Sequence, residues 1–119
     1  MTDRELLEKA AKAAGYVIES FASDGGCWAY KANAAPNADG EYPIFKWNPL
    51  TDDGDALRLA VQLGIQPHYS DFTGNAYVRW DRGEKTDAVY GPDDPYAATR
   101  RAIVRAAAAL TPASPDPHA

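Results

Sequence analysis

The chain has 119 residues, of which 45% are hydrophobic and 24% are charged. These ordinary globular values exclude a wholly disordered chain and favour a single domain with one core. The formal net charge is −5, and the isoelectric point is near 4.8. This acidity argues against a general binder of nucleic acid or anionic membranes, because phosphate recognition needs clustered Lys and Arg. It leaves open an acidic face that binds a basic partner.

Features that would indicate secretion or membrane insertion are absent from the sequence. The single cysteine, Cys27, cannot form an internal disulfide, and the chain starts with a polar helical pattern rather than a signal peptide. The chain contains no apolar run near the roughly 20 residues that cross a bilayer. We therefore expect a cytoplasmic protein that does not associate with membranes.

Residues 1–15 form the clearest predicted helix. Thr2 and Glu5 have the spacing of a capping box, and Gly15 is suited to the left-handed conformation that ends many helices. Alternating patterns then predict strands at residues 16–21 and 27–32, joined through the turn at 23–26. After a loop rich in Asn, Ala, Gly and Pro at residues 33–41, an aromatic extended pattern follows at 42–47.

A second helix is predicted to begin near Thr51 or Asp52 and to end at Gly64. Its predicted core stripe is Leu57, Ala60, Val61 and Gly64, which Leu59 and Leu63 widen. This broad apolar surface indicates a helix held between a sheet and another element.

Three further strands are predicted at residues 66–71, 75–81 and 86–90, and a third helix at 94–110. Asp94 is placed to cap this helix, and its predicted core stripe is Tyr96, Thr99, Ile103, Ala107 and Leu110. The order is helix, three strands, helix, three strands, helix. Short turns favour antiparallel sheets covered by helices, which is an α+β fold. We expect one domain at residues 1–111 and a disordered tail at 112–119, which contains three prolines.

The acids Asp52, Asp53 and Asp55 are the first candidate chemical feature. Several carboxylates can bind a divalent cation, but the spacing of an EF-hand loop is absent. Acids are favoured at a helix N-terminus because they interact with its positive dipole end. Helix capping is therefore the preferred interpretation, and we expect no metal site.

Two further features resemble parts of catalytic sites. His68, Ser70 and Asp71 lie close in sequence, but neighbouring residues of a strand point to opposite faces and cannot form a relay. Cys27 needs a nearby base to act as a nucleophile, and a buried small hydrophobe is the preferred interpretation. We expect no catalytic residue and no cofactor.

The aromatic residues, with three Trp and seven Tyr, exceed what a small core needs. Alternation places Trp28 and Tyr30 on one face of their strand. It also places Trp80 on the face opposite Tyr77 and Arg79. Exposed Tyr, Trp and Arg dominate many protein interfaces. The candidate interaction surface consists of Trp28, Tyr30, Tyr69, Tyr77, Arg79, Trp80, Asp52 and Asp53.

Three segments resemble a family of short proteins encoded by tailed bacteriophages and prophages. They are Thr2-Asp3-Arg4-Glu5-Leu6-Leu7 with residues 10–15, Trp47-Asn48-Pro49-Leu50-Thr51-Asp52-Asp53-Gly54-Asp55-Ala56-Leu57 continuing to Ile65, and residues 98–107. The resemblance implies a phage origin and brings no catalytic motif or cofactor. Small acidic phage proteins of this kind are often accessory proteins that bind a host component, including anti-defence inhibitors such as anti-CRISPR proteins.

The preferred hypothesis is therefore a phage accessory protein that binds a host protein or complex in the host bacterial cytoplasm, without binding nucleic acid directly. The alternative is a binder or sponge for nucleotides or other small ligands, using aromatic stacking with Arg79, Arg82 or the arginines at 100–105. A small enzyme built on His68 is the least favoured hypothesis. Pairing of exposed edge strands leaves a dimer open.

Overall fold

A computed structural model of the chain describes residues 1–80 and 88–110. Its three helices and six strands follow the predicted order and confirm the α+β class. The elements are α1 (Asp3–Ala14), β1 (Tyr16–Phe21), β2 (Cys27–Lys31), β3 (Phe45–Trp47), α2 (Asp53–Leu63), β4 (Ile65–Ser70), β5 (Asn75–Trp80), β6 (Val89–Tyr90) and α3 (Pro95–Leu110). The predicted turn at 81–85, the start of the sixth strand at 86 and the tail at 112–119 lie outside the described residues.

The strands form two separate antiparallel sheets of three strands each. The first sheet has the order β1-β2-β3 and the second has the order β4-β5-β6. β3 is shorter than the predicted strand at 42–47, which includes Pro43. Proline has no backbone N–H to donate to a neighbouring strand, so pairing is confined to the residues after it.

Local signals fix the ends of the first two helices. Thr2 and Glu5 form the predicted capping box, and the hydrogen bonds from Thr2 lower the pKa of the Glu5 carboxyl. Both helices end at a glycine in the left-handed region, with φ of 79° at Gly15 and 70° at Gly64. A strand follows each glycine directly, so each helix folds back onto its own sheet.

The core is centred on α3, which packs against α1, α2 and the second sheet. Its buried face is rich in alanine, and small side chains let neighbouring helices and strands approach closely. The buried residues of α3 are Ala98, Ala102, Ile103, Val104, Ala106, Ala107 and Ala108. The inner faces of both sheets join the same hydrophobic cluster through residues such as Cys27 and Val78.

The predicted core stripes of the second and third helices are partly wrong. In α2, Leu57 is 60% exposed and Val61 is 74% exposed. The helix instead packs through Ala56, Leu59 and Ala60, a face about one residue away from the predicted one. The third helix buries Ile103 and Ala107 as predicted, but Tyr96 at its start and Leu110 at its end are exposed.

In each sheet, the six-residue strand at one edge carries an irregularity. β4, at one edge of the second sheet, contains Pro67, which pairs with Val78 in the register. β1, at one edge of the first sheet, has a register shift between Ile18 and Ser20. Proline and bulges are typical of edge strands, because both disturb the regular row of backbone donors and acceptors.

Candidate functional site

The outer face of the first sheet carries exposed aromatic side chains. Along β2, Cys27 and Ala29 are fully buried, whereas Trp28 is 39% exposed and Tyr30 is half-buried. This alternation follows from the period of two in a strand, and it places Trp28 and Tyr30 on one face as predicted. Backbone pairing with β1 and β3 fixes the direction of both rings.

Neighbouring strands extend this outer face. Tyr30 pairs with Val17 of β1, and Trp28 pairs with Lys46 of β3. Tyr42 stacks on Tyr30 with ring centroids 4.4 Å apart and an interplanar angle of 14°. We call this surface the aromatic face. It consists of Val17, Trp28, Tyr30, Tyr42, Ile44 and Lys46.

An ion pair flanks the aromatic face on one side. The Lys46 ammonium group lies 5.6 Å from the centroid of the Trp28 ring, and it also donates a hydrogen bond to the Asp24 carboxylate. This bond and one from the Gly26 N–H lower the pKa of Asp24. The ammonium group therefore bridges the Trp28 ring and the β1–β2 turn, and it orders the border of the face.

The inner side of the same sheet gives the aromatic face a packed support. Tyr16 makes edge-to-face contacts with Phe45 and Trp47, with centroid distances of 5.1 and 5.4 Å. Such contacts stabilise aromatic pairs beyond their buried area. The strands beneath the aromatic face are therefore held by the core.

Cys27 lies on this inner side. Its thiol donates a weak hydrogen bond to the Trp47 carbonyl at 3.4 Å. Burial and the nearby Asp55 carboxylate raise the pKa of the thiol to about 11. Because the thiolate is the nucleophile, a protonated and buried thiol is unreactive at neutral pH. The predicted role of a small buried hydrophobe fits this position.

The second sheet places its predicted surface residues on both of its faces. Tyr77 and Arg79 point outward, where Tyr77 pairs with His68 and their ring centroids are 6.3 Å apart. Tyr69 is half-buried against the core on the other face. Trp80 is the last residue of β5, and its side chain lies outside the described part of the chain. His68 and Cys27 belong to different sheets.

The acids at the start of α2 are engaged in structural contacts. Asp52 caps the helix by accepting a hydrogen bond from the Asp55 N–H at 2.8 Å. Asp53 pairs with Arg100 at 2.6 Å. Asp55 accepts hydrogen bonds from the Asn48 N–H at 2.9 Å and from the Arg58 guanidinium at 2.8 Å.

Asp52 and Asp55 also line an open cleft of about 340 Å³, together with Asp24, Lys46, Asn48 and Thr51. Within residues 1–80 and 88–110, the protein has no group of three or more His, Cys, Asp or Glu side chains that could hold a metal ion. Asp52 caps α2 as predicted, whereas Asp53 and Asp55 bind Arg100, Asn48 and Arg58.

Arg100 and Arg101 of α3 make specific contacts with other elements. Arg100 donates to the Leu50 carbonyl at 2.9 Å as well as to Asp53. Arg101 pairs with Asp3 at 2.9 Å. These two guanidinium groups hold α3 to α1 and to the segment before α2, so they are poorly placed to receive a ligand.

The sequence interpretation missed four members of the aromatic face, Val17, Tyr42, Ile44 and Lys46. Val17 joins Tyr30 through the pairing of β1 with β2, whereas Tyr42, Ile44 and Lys46 come after the loop at residues 33–41. The signal for Ile44 was the alternation from Lys46, which places both residues on one face. The stacking of Tyr42 on Tyr30 depends on the course of the loop at residues 33–41, and no pattern in the sequence indicates it.

Comparisons with known proteins give no relative from which a role could be transferred. The chain matches no family model, no curated protein and no solved structure. Among the described helices, none is both long and apolar enough to span a bilayer.

Proposed function

We propose that this protein acts by binding another protein through the aromatic face. The observation that carries the proposal is the exposure of Trp28 beside the stacked pair of Tyr30 and Tyr42. In the preferred form of the hypothesis, the protein is a phage accessory protein that occupies a host protein or complex, such as a defence nuclease, in the bacterial cytoplasm. The phage origin is supported by the sequence resemblance of residues 2–7 with 10–15, 47–65 and 98–107.

The composition of the aromatic face supports protein binding. Trp and Tyr provide large contact areas with few rotatable bonds, so little side-chain entropy is lost when they are covered. Val17, Tyr42 and Ile44 are 37%, 39% and 44% exposed and extend the apolar area around them. Because Tyr30 and Tyr42 are already stacked, part of the ordering cost is met before binding.

The placement of reactive groups favours binding over catalysis as the mode of action. The Cys27 thiol has a pKa of about 11 and lies on the inner face of the first sheet. His68 is exposed on the outer face of the second sheet. A nucleophile and a general base must lie within hydrogen-bond reach of each other, and these two side chains lie on different sheets.

Site-specific photo-crosslinking provides a direct test. A photoreactive phenylalanine analogue replaces Trp28 in one variant and Gln66, which is exposed on the second sheet, in a matched control. We expect one dominant host adduct from position 28 and none of the same mass from position 66. The same adduct at both positions, or none at position 28, would contradict the assignment to the aromatic face.

A plating assay tests the anti-defence role separately. Phage plaques are counted on a strain with an active defence nuclease that expresses either the wild-type protein or Trp28→Ser. We expect more plaques when the wild-type protein is expressed, because it protects the phage from the nuclease, and no such increase with the variant. A host adduct at position 28 without an increase in plaque number would support the binding surface and contradict the anti-defence role.

A second candidate function is binding of a nucleotide or another small ligand by the outer face of the second sheet. It is favoured by the position of exposed Arg79 two residues from Tyr77, whose ring lies beside His68. A thermal-shift screen of nucleotides discriminates between the candidates, because a ligand that binds only the folded state raises the melting temperature. Arg79→Ala should abolish such a shift, whereas Trp28→Ser should not.

A further inference from the structure

A second apolar surface lies around the turn between β4 and β5. Phe72, within this turn, is 93% exposed, and Tyr90, at the end of β6, is 72% exposed. Pro92 lies two residues after Tyr90 and is also exposed. We call these three residues the Phe72 cluster. A nearly free phenylalanine contributes almost nothing to packing, so the fold does not account for its presence.

The backbone holds the cluster together at Gly74. The Gly91 N–H donates to the Gly74 carbonyl at 3.0 Å, and Tyr90 pairs with Asn75. A Cβ atom at Gly74 would lie 3.1 Å from the Tyr90 ring and 3.2 Å from Pro92. The ring and the proline therefore lie directly against the turn that presents Phe72. With φ of 72°, Gly74 also has a backbone conformation that favours glycine.

The charged residues in the two described segments that carry the cluster are all acidic. Residues 70–77 and 88–97, which form this end of the second sheet, contain Asp71, Asp93 and Asp94 and no Lys, Arg or His. All three carboxylates are exposed. An apolar surface with an acidic border repels phosphate groups and attracts cationic ones.

We propose that the Phe72 cluster is a docking surface for a basic segment of a partner protein. Phe72 and Tyr90 would contact the aliphatic parts of that segment, and Asp71 and Asp93 would pair with its Lys or Arg side chains. The acidic border makes this occupant the complementary one. The inference goes beyond the proposed function, because this surface lies on the second sheet and the aromatic face lies on the first.

Binding to synthetic peptides provides the test. The full chain is screened against an array of 12-residue peptides made of Arg, Lys, Leu and Ser, and against a matched array in which Glu and Asp replace the bases. Dissociation constants of the strongest binders are then measured by fluorescence anisotropy. We expect binding to basic peptides only, with an affinity that falls as salt concentration rises.

Variants locate the binding. Phe72→Ala should weaken it by about tenfold or more, as expected for an interface anchor. Val61→Ala removes another highly exposed apolar side chain, on α2, and should leave the affinity unchanged. Asp71→Asn combined with Asp93→Asn should weaken binding and flatten its salt dependence. Trp28→Ser should have no effect, which separates this surface from the aromatic face.

Several results would overturn the proposal. They are an absence of binding to every basic peptide, equal binding to the acidic array, and unchanged affinity in Phe72→Ala. Tighter binding to oligothymidine or to phosphatidylserine vesicles would identify a different class of occupant and would also overturn it. Dimerisation in analytical ultracentrifugation that Phe72→Ala abolishes would assign the surface to a second copy of the chain.

Discussion

The guanidinium of Arg100, in α3, donates a hydrogen bond to the carboxylate of Asp53 at the start of α2, with a distance of 2.6 Å. The same group also donates to the Leu50 carbonyl at 2.9 Å. The Arg100 side chain is only 16% exposed. Its removal would leave the half-buried Leu50 carbonyl without this hydrogen-bond donor. One side chain thus joins the C-terminal helix to the helix in the middle of the chain.

We expect Arg100→Ala to lower the free energy of unfolding by about 1–3 kcal/mol, the usual range for a lost hydrogen bond to a partly buried group. The matched control is Arg101→Ala. The Arg101 and Asp3 side chains are 38% and 63% exposed, so their ion pair is more solvated than that of Arg100. The control should therefore cost less than about 1 kcal/mol. Urea unfolding followed by tryptophan fluorescence measures both values. Equal losses in the two variants would show that burial of Arg100 is not the deciding factor.

The exposed side of α2 gives a second prediction. Replacing both Leu57 and Val61 by Gln should change the free energy of unfolding by less than about 1 kcal/mol, because the substitutions are on the surface. Leu59→Ala should cost about 2–5 kcal/mol, because Leu59 is 2% exposed in the core. Thermal and urea unfolding distinguish the two faces. A large loss of unfolding free energy in the double variant would instead support the core stripe predicted from the sequence.

The Cys27 thiol makes stability depend on pH in the alkaline range. Its pKa in the folded protein, about 11, is above the ordinary value of 9.0, so the unfolded chain ionises first as pH rises. The contribution of the thiol is therefore complete below about pH 9 and is lost between about pH 9 and 11. The difference between the unfolding free energies of the wild type and Cys27→Ala at each pH isolates the contribution of the thiol from the titration of tyrosine and lysine. A difference that stays constant between pH 8 and 11 would contradict the raised pKa.

The acids at the start of α2 give a prediction about divalent cations. Each of these acids already accepts hydrogen bonds. Asp52 caps the helix, Asp53 binds the Arg100 guanidinium, and Asp55 binds the Asn48 N–H and the Arg58 guanidinium. A cation would have to replace these contacts, so millimolar Ca²⁺ or Mg²⁺ should leave the melting temperature unchanged relative to EDTA. Asp52→Ala should lower stability by about 1 kcal/mol through loss of the cap. A rise in melting temperature that Asp52→Ala abolishes would indicate a cation site instead.

The sequence predicts the elements well where the signals are local. The capping box at Thr2 and Glu5, the glycine ends at Gly15 and Gly64, and the alternation in β2 each depend on residues a few positions apart. Hydrogen bonding and backbone sterics act over that same distance. The predicted first strand, at residues 16–21, agrees with β1 for this reason.

The buried face of α2 is not determined by local signals. Its sequence is apolar at positions 56, 57, 59, 60, 61 and 63, so two faces one residue apart are almost equally hydrophobic. The larger residues Leu57 and Val61 favour the wrong face. The observed face uses Ala56 and Ala60, and α2 packs against the alanine-rich helix α3. Close packing between helices therefore outweighs side-chain size.

The aromatic face was predictable only in part. Alternation along one strand groups Trp28 with Tyr30. The pairing of Tyr30 with Val17 depends on the register of the β1–β2 hairpin, and its stacking on Tyr42 depends on the course of the loop between them. Strand register is set by turns and by the whole sheet, and the loop at residues 33–41 contains few signals for either. The contact between Tyr30 and Tyr42 therefore required the three-dimensional structure.

Pro67 in β4 and the irregular register of β1 also bear on how this protein behaves when many copies accumulate in a cell. Both of the long outer strands are poor templates for a strand of another molecule. Open-ended fibre growth is thereby discouraged, although apolar rings remain on the surface. Exposed apolar side chains and strand edges that resist further pairing thus occur together in this fold.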